Sequence, residues 1–224
     1  MLAVLAVFAA GELAWFAWRL SADAEMNLFL AGEVFASAFG AALLIVTLIV
    51  GGVRPSKALS QQRIRLLGTS QQAFYLSEAL FGLLCMLMVW AVQAAVVMAA
   101  AKIYTSQPGY AYGPQGPLVQ IYAQKSLMMI LPLKESRFWT GTMLSGLSLS
   151  LCTAHMRTKH RSKGVPLASY LALVILLSFF LGIAAEISTS PVIRPAIAFA
   201  VMVLAALYTC THFEKERTEA DDGE

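Results

Sequence analysis

Residues 74–101, FYLSEALFGLLCMLMVWAVQAAVVMAAA, decide the fold, because Glu78 is the only charged residue in a long apolar stretch. A helix needs about 20 apolar residues to cross a hydrocarbon layer of about 30 Å. Five further apolar runs have a similar character. They predict an all-α polytopic membrane protein with six transmembrane helices, at about residues 1–18, 28–52, 74–101, 138–156, 166–185 and 193–212.

The composition supports this class. The chain has 224 residues, of which 58% are hydrophobic and 13% charged, whereas about a quarter of a soluble domain is charged. Six crossings use about 120 residues, which leaves no room for an ATPase or kinase domain. The 16 Lys and Arg residues are divided among short segments, so we expect no nucleic-acid partner. Cys85, Cys152 and Cys210 lie in or at the end of apolar runs without C-x-x-C spacing, which predicts buried thiols.

The first span has two interpretations. It could be a cleaved signal peptide, but it lacks a positively charged start and a clear cleavage site followed by polar sequence. We therefore expect a retained span.

Two basic connections predict the orientation. Residues 53–73 and 157–165 each carry four Lys or Arg residues and no acid, and such loops accumulate on the cytoplasmic side. This places both termini in the cytoplasm. We expect the protein to lie in the cell (inner) membrane. The charged tail, residues 213–224, is expected to form a disordered or frayed cytoplasmic end.

The longest external connection is residues 102–137. Its first part, residues 104–117, is rich in Pro, Gly and Tyr and predicts turns. Residues 118–133 are apolar but short for a crossing, and Gln120, Gln124 and Lys125 interrupt them. They predict an interfacial or re-entrant helix.

Residues 54–80, RPSKALSQQRIRLLGTSQQAFYLSEAL, contain an amphipathic segment at about 56–68. Leu59, Leu66 and Leu67 fall near one helical face, while Arg63 and Arg65 fall near the other. This pattern predicts that the segment forms a short cytoplasmic helix. Its residues leave two roles open, contact with anionic lipid or docking on a partner protein.

The same stretch resembles the coupling helix of type 2 ABC exporter permeases. The matching features are Arg63 and Arg65, the pair Leu66-Leu67, the turn Gly68-Thr69-Ser70, and the aromatic opening Phe74-Tyr75. The resemblance implies a permease subunit whose residues 56–70 dock on a separate ATPase subunit, which binds the ATP. It also implies a second permease copy or a related chain. The coupling residues would be Lys57, Leu59, Arg63, Arg65, Leu66, Leu67 and Gly68.

The alternative is a non-transporting membrane scaffold or sensor, in which the basic segments only orient the chain and contact lipid.

Ionisable and polar side chains within spans are costly and mark candidate pathway residues. These are Glu12, Glu33, Glu78, Gln93 and Glu186. Glu33, Glu78 and Glu186 lie near span ends, where they could be solvated or could line a path for a cationic substrate or a proton. Glu186 could also pair with Arg194 across a short turn. Glu12 lies deepest, so we expect its protonated form to make a hydrogen bond between helices.

Other chemistry is not indicated. His155, His160 and His212 lack the i, i+4 spacing of a helical metal site, so we expect no metal. No nucleophile and base set occurs, and no G-x-x-x-x-G-K phosphate-binding loop occurs, so we expect no enzyme activity and no cofactor in this chain. The fourth span is rich in Gly, Ser and Thr and is expected to pack in the bundle interior or at a subunit interface.

Overall fold

The part of the chain that the structure describes forms six helices of 18 residues or more. The computed structural model describes residues 2–22, 28–52, 71–106, 116–124, 126–131, 135–161, 165–184 and 190–221. The long helices are α1 (Leu2–Ala22), α2 (Leu28–Gly52), α3 (Gln71–Thr105), α5 (Ser136–Arg161), α6 (Leu167–Ala184) and α7 (Ile193–Asp221). A short helix α4 (Gly116–Ala123) and a 3-10 helix (Ser126–Met129) lie between α3 and α5. No β-strand occurs in these ranges, so the all-α class is confirmed.

Three of the described helices are long and apolar enough to cross a membrane, judged by length and composition. They cover Ala31–Gly52, Gln72–Thr105 and Ile193–Thr211, and the apolar helix Leu167–Gly182 is shorter. Hydroxyl and basic side chains make α5 the least apolar of the six long helices. The structure therefore supports an integral membrane protein, and the crossing by all six helices stays a prediction.

Helix α5 lies in the interior, packed against α2, α3, α6 and α7. Four of its buried hydroxyls belong to Ser145, Ser148, Ser150 and Thr153. Each donates a hydrogen bond to a carbonyl of the preceding turn of α5, so none needs a partner on another helix. Small side chains also allow close approach. A Cβ at Gly82 of α3 would collide with the Thr153 side chain. The sequence-based expectation of an interior position is confirmed.

The long helices alternate in direction, so several helix ends meet at one end of the bundle. Tyr75 near the start of α3 donates its hydroxyl to the Leu151 carbonyl of α5 at 3.3 Å. His155 in the last third of α5 lies 3.5 Å from Thr209 of α7. Gly51, near the end of α2, faces the same region of α5. We call this the basic end, because both basic connections begin and end there.

The end of α7 differs from expectation. The helix continues through Asp221 and covers most of the segment for which a disordered or frayed end was predicted. Glu, Lys, Arg and Ala dominate this segment, and all four have high helix propensity. Propensity therefore extends the helix beyond the apolar run.

Candidate functional site

Residues 116–124 and 126–131 pack within the half of the bundle that lies opposite the basic end. Residues 126–130 are all buried. The Trp90 indole of α3 donates to the Ile130 carbonyl at 2.6 Å, and the Thr142 hydroxyl of α5 donates to the Met129 carbonyl at 3.0 Å. The 3-10 helix also packs against α2. The segment therefore lies between three long helices rather than on their surface.

A polar cluster lies beside this segment. The Gln93 side chain of α3 is 1% exposed. Its Nε2 donates to Glu12 Oε2 of α1 at 2.8 Å and to the Phe35 carbonyl of α2 at 3.4 Å. A hydrogen bond between helices is present at Glu12, with a Glu12 oxygen as the acceptor, and the protonated form that we expected stays a prediction. Two of the predicted pathway residues, Glu12 and Gln93, are thereby brought together.

Among the residues that the structure describes, two buried side-chain oxygens have no hydrogen-bond partner, Glu12 Oε1 and Gln124 Oε1. Gln124 is 3% exposed and lies against Gly32 of α2, where an added Cβ would be 2.6 Å from Gln124 Oε1. Gly32 precedes Phe35 by three residues, so both polar contacts fall within one turn of α2. Glu12, Gln93 and the Phe35 carbonyl form one polar contact, and Gln124 lies against Gly32 at a second place on α2.

An ion pair lies at the basic end. The carboxylate of Glu78 on α3 pairs with the guanidinium of Arg157 on α5, and their side chains are 16% and 23% exposed. The guanidinium carbon also lies 5.7 Å from the centroid of the Phe81 ring, close enough for a cation–π interaction. From the sequence alone, Arg157 indicates only the orientation of the chain in the membrane. Finding its partner required knowing that α3 and α5 are neighbours.

The remaining predicted residues stand apart from these clusters. Glu33 is exposed on α2. The Arg194 guanidinium donates to the Ser178 carbonyl at 2.6 Å, while its predicted partner Glu186 lies outside the described residues. The coupling residues lie outside them too: Lys57, Leu59, Arg63, Arg65, Leu66, Leu67 and Gly68.

His155, Cys85 and Cys152 pack in the bundle, and Cys210 is half-buried. His155 is 3% exposed and approaches Thr209, as expected of a packing residue. Cys85 and Cys152 are buried thiols. Within the ranges that the structure describes, no three His, Cys, Asp or Glu residues come together in a way that could hold a metal ion.

Comparison with known proteins identifies no relative. No protein-family model, no curated protein and no solved structure matches this chain. The function is therefore inferred from its residues, contacts and charges.

Proposed function

We propose that the chain is the membrane-spanning permease subunit of an ABC exporter, coupled through residues 56–70 to a separate ATPase subunit. The observation that carries the proposal is the arrangement of the basic end. Helix α2 ends there at Gly52, the adjacent helix α3 begins there at Gln71, and the coupling-helix motif lies between them. A connection that leaves and re-enters the bundle at the same end is accessible there, so a partner protein can bind it.

The packing next to this connection supports a way for a movement of the connection to reach the long helices. Helix α3 starts directly after the motif and is tied to the central helix α5 by the Glu78–Arg157 pair. Close contact at Gly82 joins the same two helices. A push on the connection would move α3 and α5 together, and with them the helices packed on α5. Such rigid-body movement is a common way to open and close a pathway.

The test uses the double variant Arg63→Glu with Arg65→Glu. Its matched control, Arg161→Glu with Lys163→Glu, makes the same charge change in the other basic connection at the same end. Each full-length chain is purified from native membranes in mild detergent, and ATP hydrolysis and co-purifying proteins are measured in the same fraction. We expect an ATPase to accompany the wild type and the control. The double variant should insert normally but lose stimulation of that ATPase.

Two results would overturn the proposal. One is a wild-type chain that purifies without any nucleotide-binding partner. The other is an ATPase that binds and responds equally in the double variant and the control. Either result leaves the scaffold or sensor role, with residues 56–68 serving as a lipid-contacting segment. A partner permease, either a second copy or a related chain, should appear in the same purification.

A further inference from the structure

We propose that Glu12 of α1 binds and releases a proton, and that the Gln93 amide of α3 is its partner in both forms. The two side chains form one contact, in which Gln93 Nε2 donates to Glu12 Oε2 at 2.8 Å. The same nitrogen donates to the Phe35 carbonyl of α2 at 3.4 Å. The inference concerns proton binding alone and stands whether or not the chain is an exporter.

The contact lies in apolar surroundings. Glu12 is in the middle of α1, and Gln93 belongs to a helix that is long and apolar enough to cross a membrane. On α3 the charged residues nearest to Gln93 in sequence are Glu78 and Lys102. Even Lys102 lies about 14 Å away along the helix axis. A charged carboxylate is costly at such a place, so a neutral form of Glu12 is favoured there.

The neighbouring helices bring few other ionisable groups to this depth. Cys85 is the nearest on α3, about two turns before Gln93, and Arg19 is the nearest on α1, about two turns after Glu12. Helix α2 meets α1 through the rings of Phe16 and Phe35, and its one ionisable residue, Glu33, is exposed. The side chain of Lys125 lies outside the described residues, so the experiment includes it.

The Gln93 amide can pair with either form of the carboxyl group. An amide nitrogen donates two hydrogens and an amide oxygen accepts. In the observed contact the nitrogen faces Glu12, as a carboxylate requires. A neutral Glu12 can keep this bond through its carbonyl oxygen, or it can donate its own proton to the Gln93 oxygen after a half-turn of the amide. The contact therefore tolerates both the gain and the loss of a proton.

The second carboxyl oxygen favours the binding of a proton. Glu12 Oε1 is buried, and it has no hydrogen-bond partner among the residues that the structure describes. A buried acceptor without a donor loses the hydrogen bonds that water would supply. In the charged form this oxygen carries part of the negative charge, and a bound proton removes that charge without any further side chain.

The position of α1 gives the carboxyl group access to the membrane. Among the long helices α1 packs mainly against α3. Glu12 is partly exposed, Gly11 beside it is exposed, and Val7 earlier in the helix is 74% exposed. In a bilayer this surface faces lipid. A lipid-soluble reagent can therefore reach Glu12, whereas a water-soluble reagent cannot.

The experiment is carbodiimide labelling of the full-length protein in nanodiscs of zwitterionic lipid. In lipid-soluble dicyclohexylcarbodiimide, one nitrogen takes the proton of a neutral carboxyl group and the central carbon bonds to the carboxyl oxygen. The adduct then rearranges to a stable N-acylurea, which mass spectrometry of peptides locates. We expect the label on Glu12 to fall at least about tenfold between about pH 5 and about pH 9, because only the neutral form reacts. A water-soluble carbodiimide should label the exposed Glu135 but not Glu12.

Variants test the role of Gln93 as a positioning residue. Gln93→Leu removes the donor that stabilises the carboxylate, so labelling of Glu12 should persist to a pH about one unit higher. Loss of packing alone would not move this pH profile. Glu33→Gln removes an exposed carboxylate on α2 and should leave the labelling of Glu12 unchanged. Circular dichroism during heating reports whether each variant is folded.

Four results would overturn the inference. They are absence of the label from Glu12 at every pH, equal labelling by the two reagents, labelling that does not change with pH, and labelling that appears only in Lys125→Met. The last would mean that the Lys125 ammonium group holds Glu12 in its charged form. Because mass spectrometry locates the label, the wild type decides the question even if Gln93→Leu does not fold. None of these outcomes depends on whether an ATPase co-purifies, so the exporter proposal succeeds or fails separately.

Discussion

At the residue scale, Glu78 and Arg157 are expected to stabilise the contact between α3 and α5. Both side chains are mostly buried, and losing one partner leaves the other charge uncompensated. A fully buried pair costs about 3–5 kcal/mol to break and an exposed pair about 0–1 kcal/mol. We therefore expect Glu78→Gln and Arg157→Gln each to lower the free energy of unfolding by about 1–2 kcal/mol.

A double-mutant cycle measures whether the two side chains act as a pair. Unfolding in detergent with increasing denaturing surfactant gives the four free energies. The double variant should lose about 1 kcal/mol less than the sum of the single losses. A coupling energy indistinguishable from zero would show that the contact contributes nothing. Glu33→Gln, which removes an exposed carboxylate, serves as the control and should leave the free energy unchanged.

At the element scale, the segment of residues 126–131 is expected to depend on two hydrogen bonds from the long helices. The Trp90 indole and the Thr142 hydroxyl hold two of its buried carbonyls. Each bond should contribute about 1 kcal/mol, so Trp90→Phe or Thr142→Val should speed amide exchange in this segment about fivefold. Hydrogen exchange followed by mass spectrometry tests this. Thr140→Val, on an exposed turn of α5, is the matched control.

The sequence predicts the helices themselves better than the contacts between them. Helices were predictable because apolar runs of sufficient length leave the backbone no other way to satisfy its hydrogen bonds in lipid. The interior position of α5 was predictable from its small side chains. The partner of Arg157 and the position of Gln124 against α2 were not, since a contact between helices depends on which helices become neighbours, and composition does not determine that. The local signal at Gln124 was only a polar residue interrupting an apolar stretch.

At the scale of the whole molecule, the packing of the helices shows one feature of the topology that hydropathy alone does not show. Both basic connections belong to the same end of the bundle, because α2 and α5 end there and α3 and α6 begin there. If all six long helices cross the membrane, residues 53–70 and 162–164 lie on one side and residues 107–115 on the other. If only the three helices that meet the length and hydropathy requirement cross, residues 107–164 lie together on one side.

Cysteine labelling in intact cells distinguishes these two topologies. The changes Ser60→Cys, Gly109→Cys and Ser162→Cys are made singly, the unaltered chain serves as the blank, and a membrane-impermeant maleimide is added before and after permeabilisation. We expect Gly109→Cys to react before permeabilisation and the other two only after it, because basic connections remain on the cytoplasmic side. Joint reaction of Gly109→Cys and Ser162→Cys would mean that α5 does not cross. The central helix α5 would then pack beside the membrane-spanning helices without crossing the membrane. This result would contradict a translocation pathway built around α5.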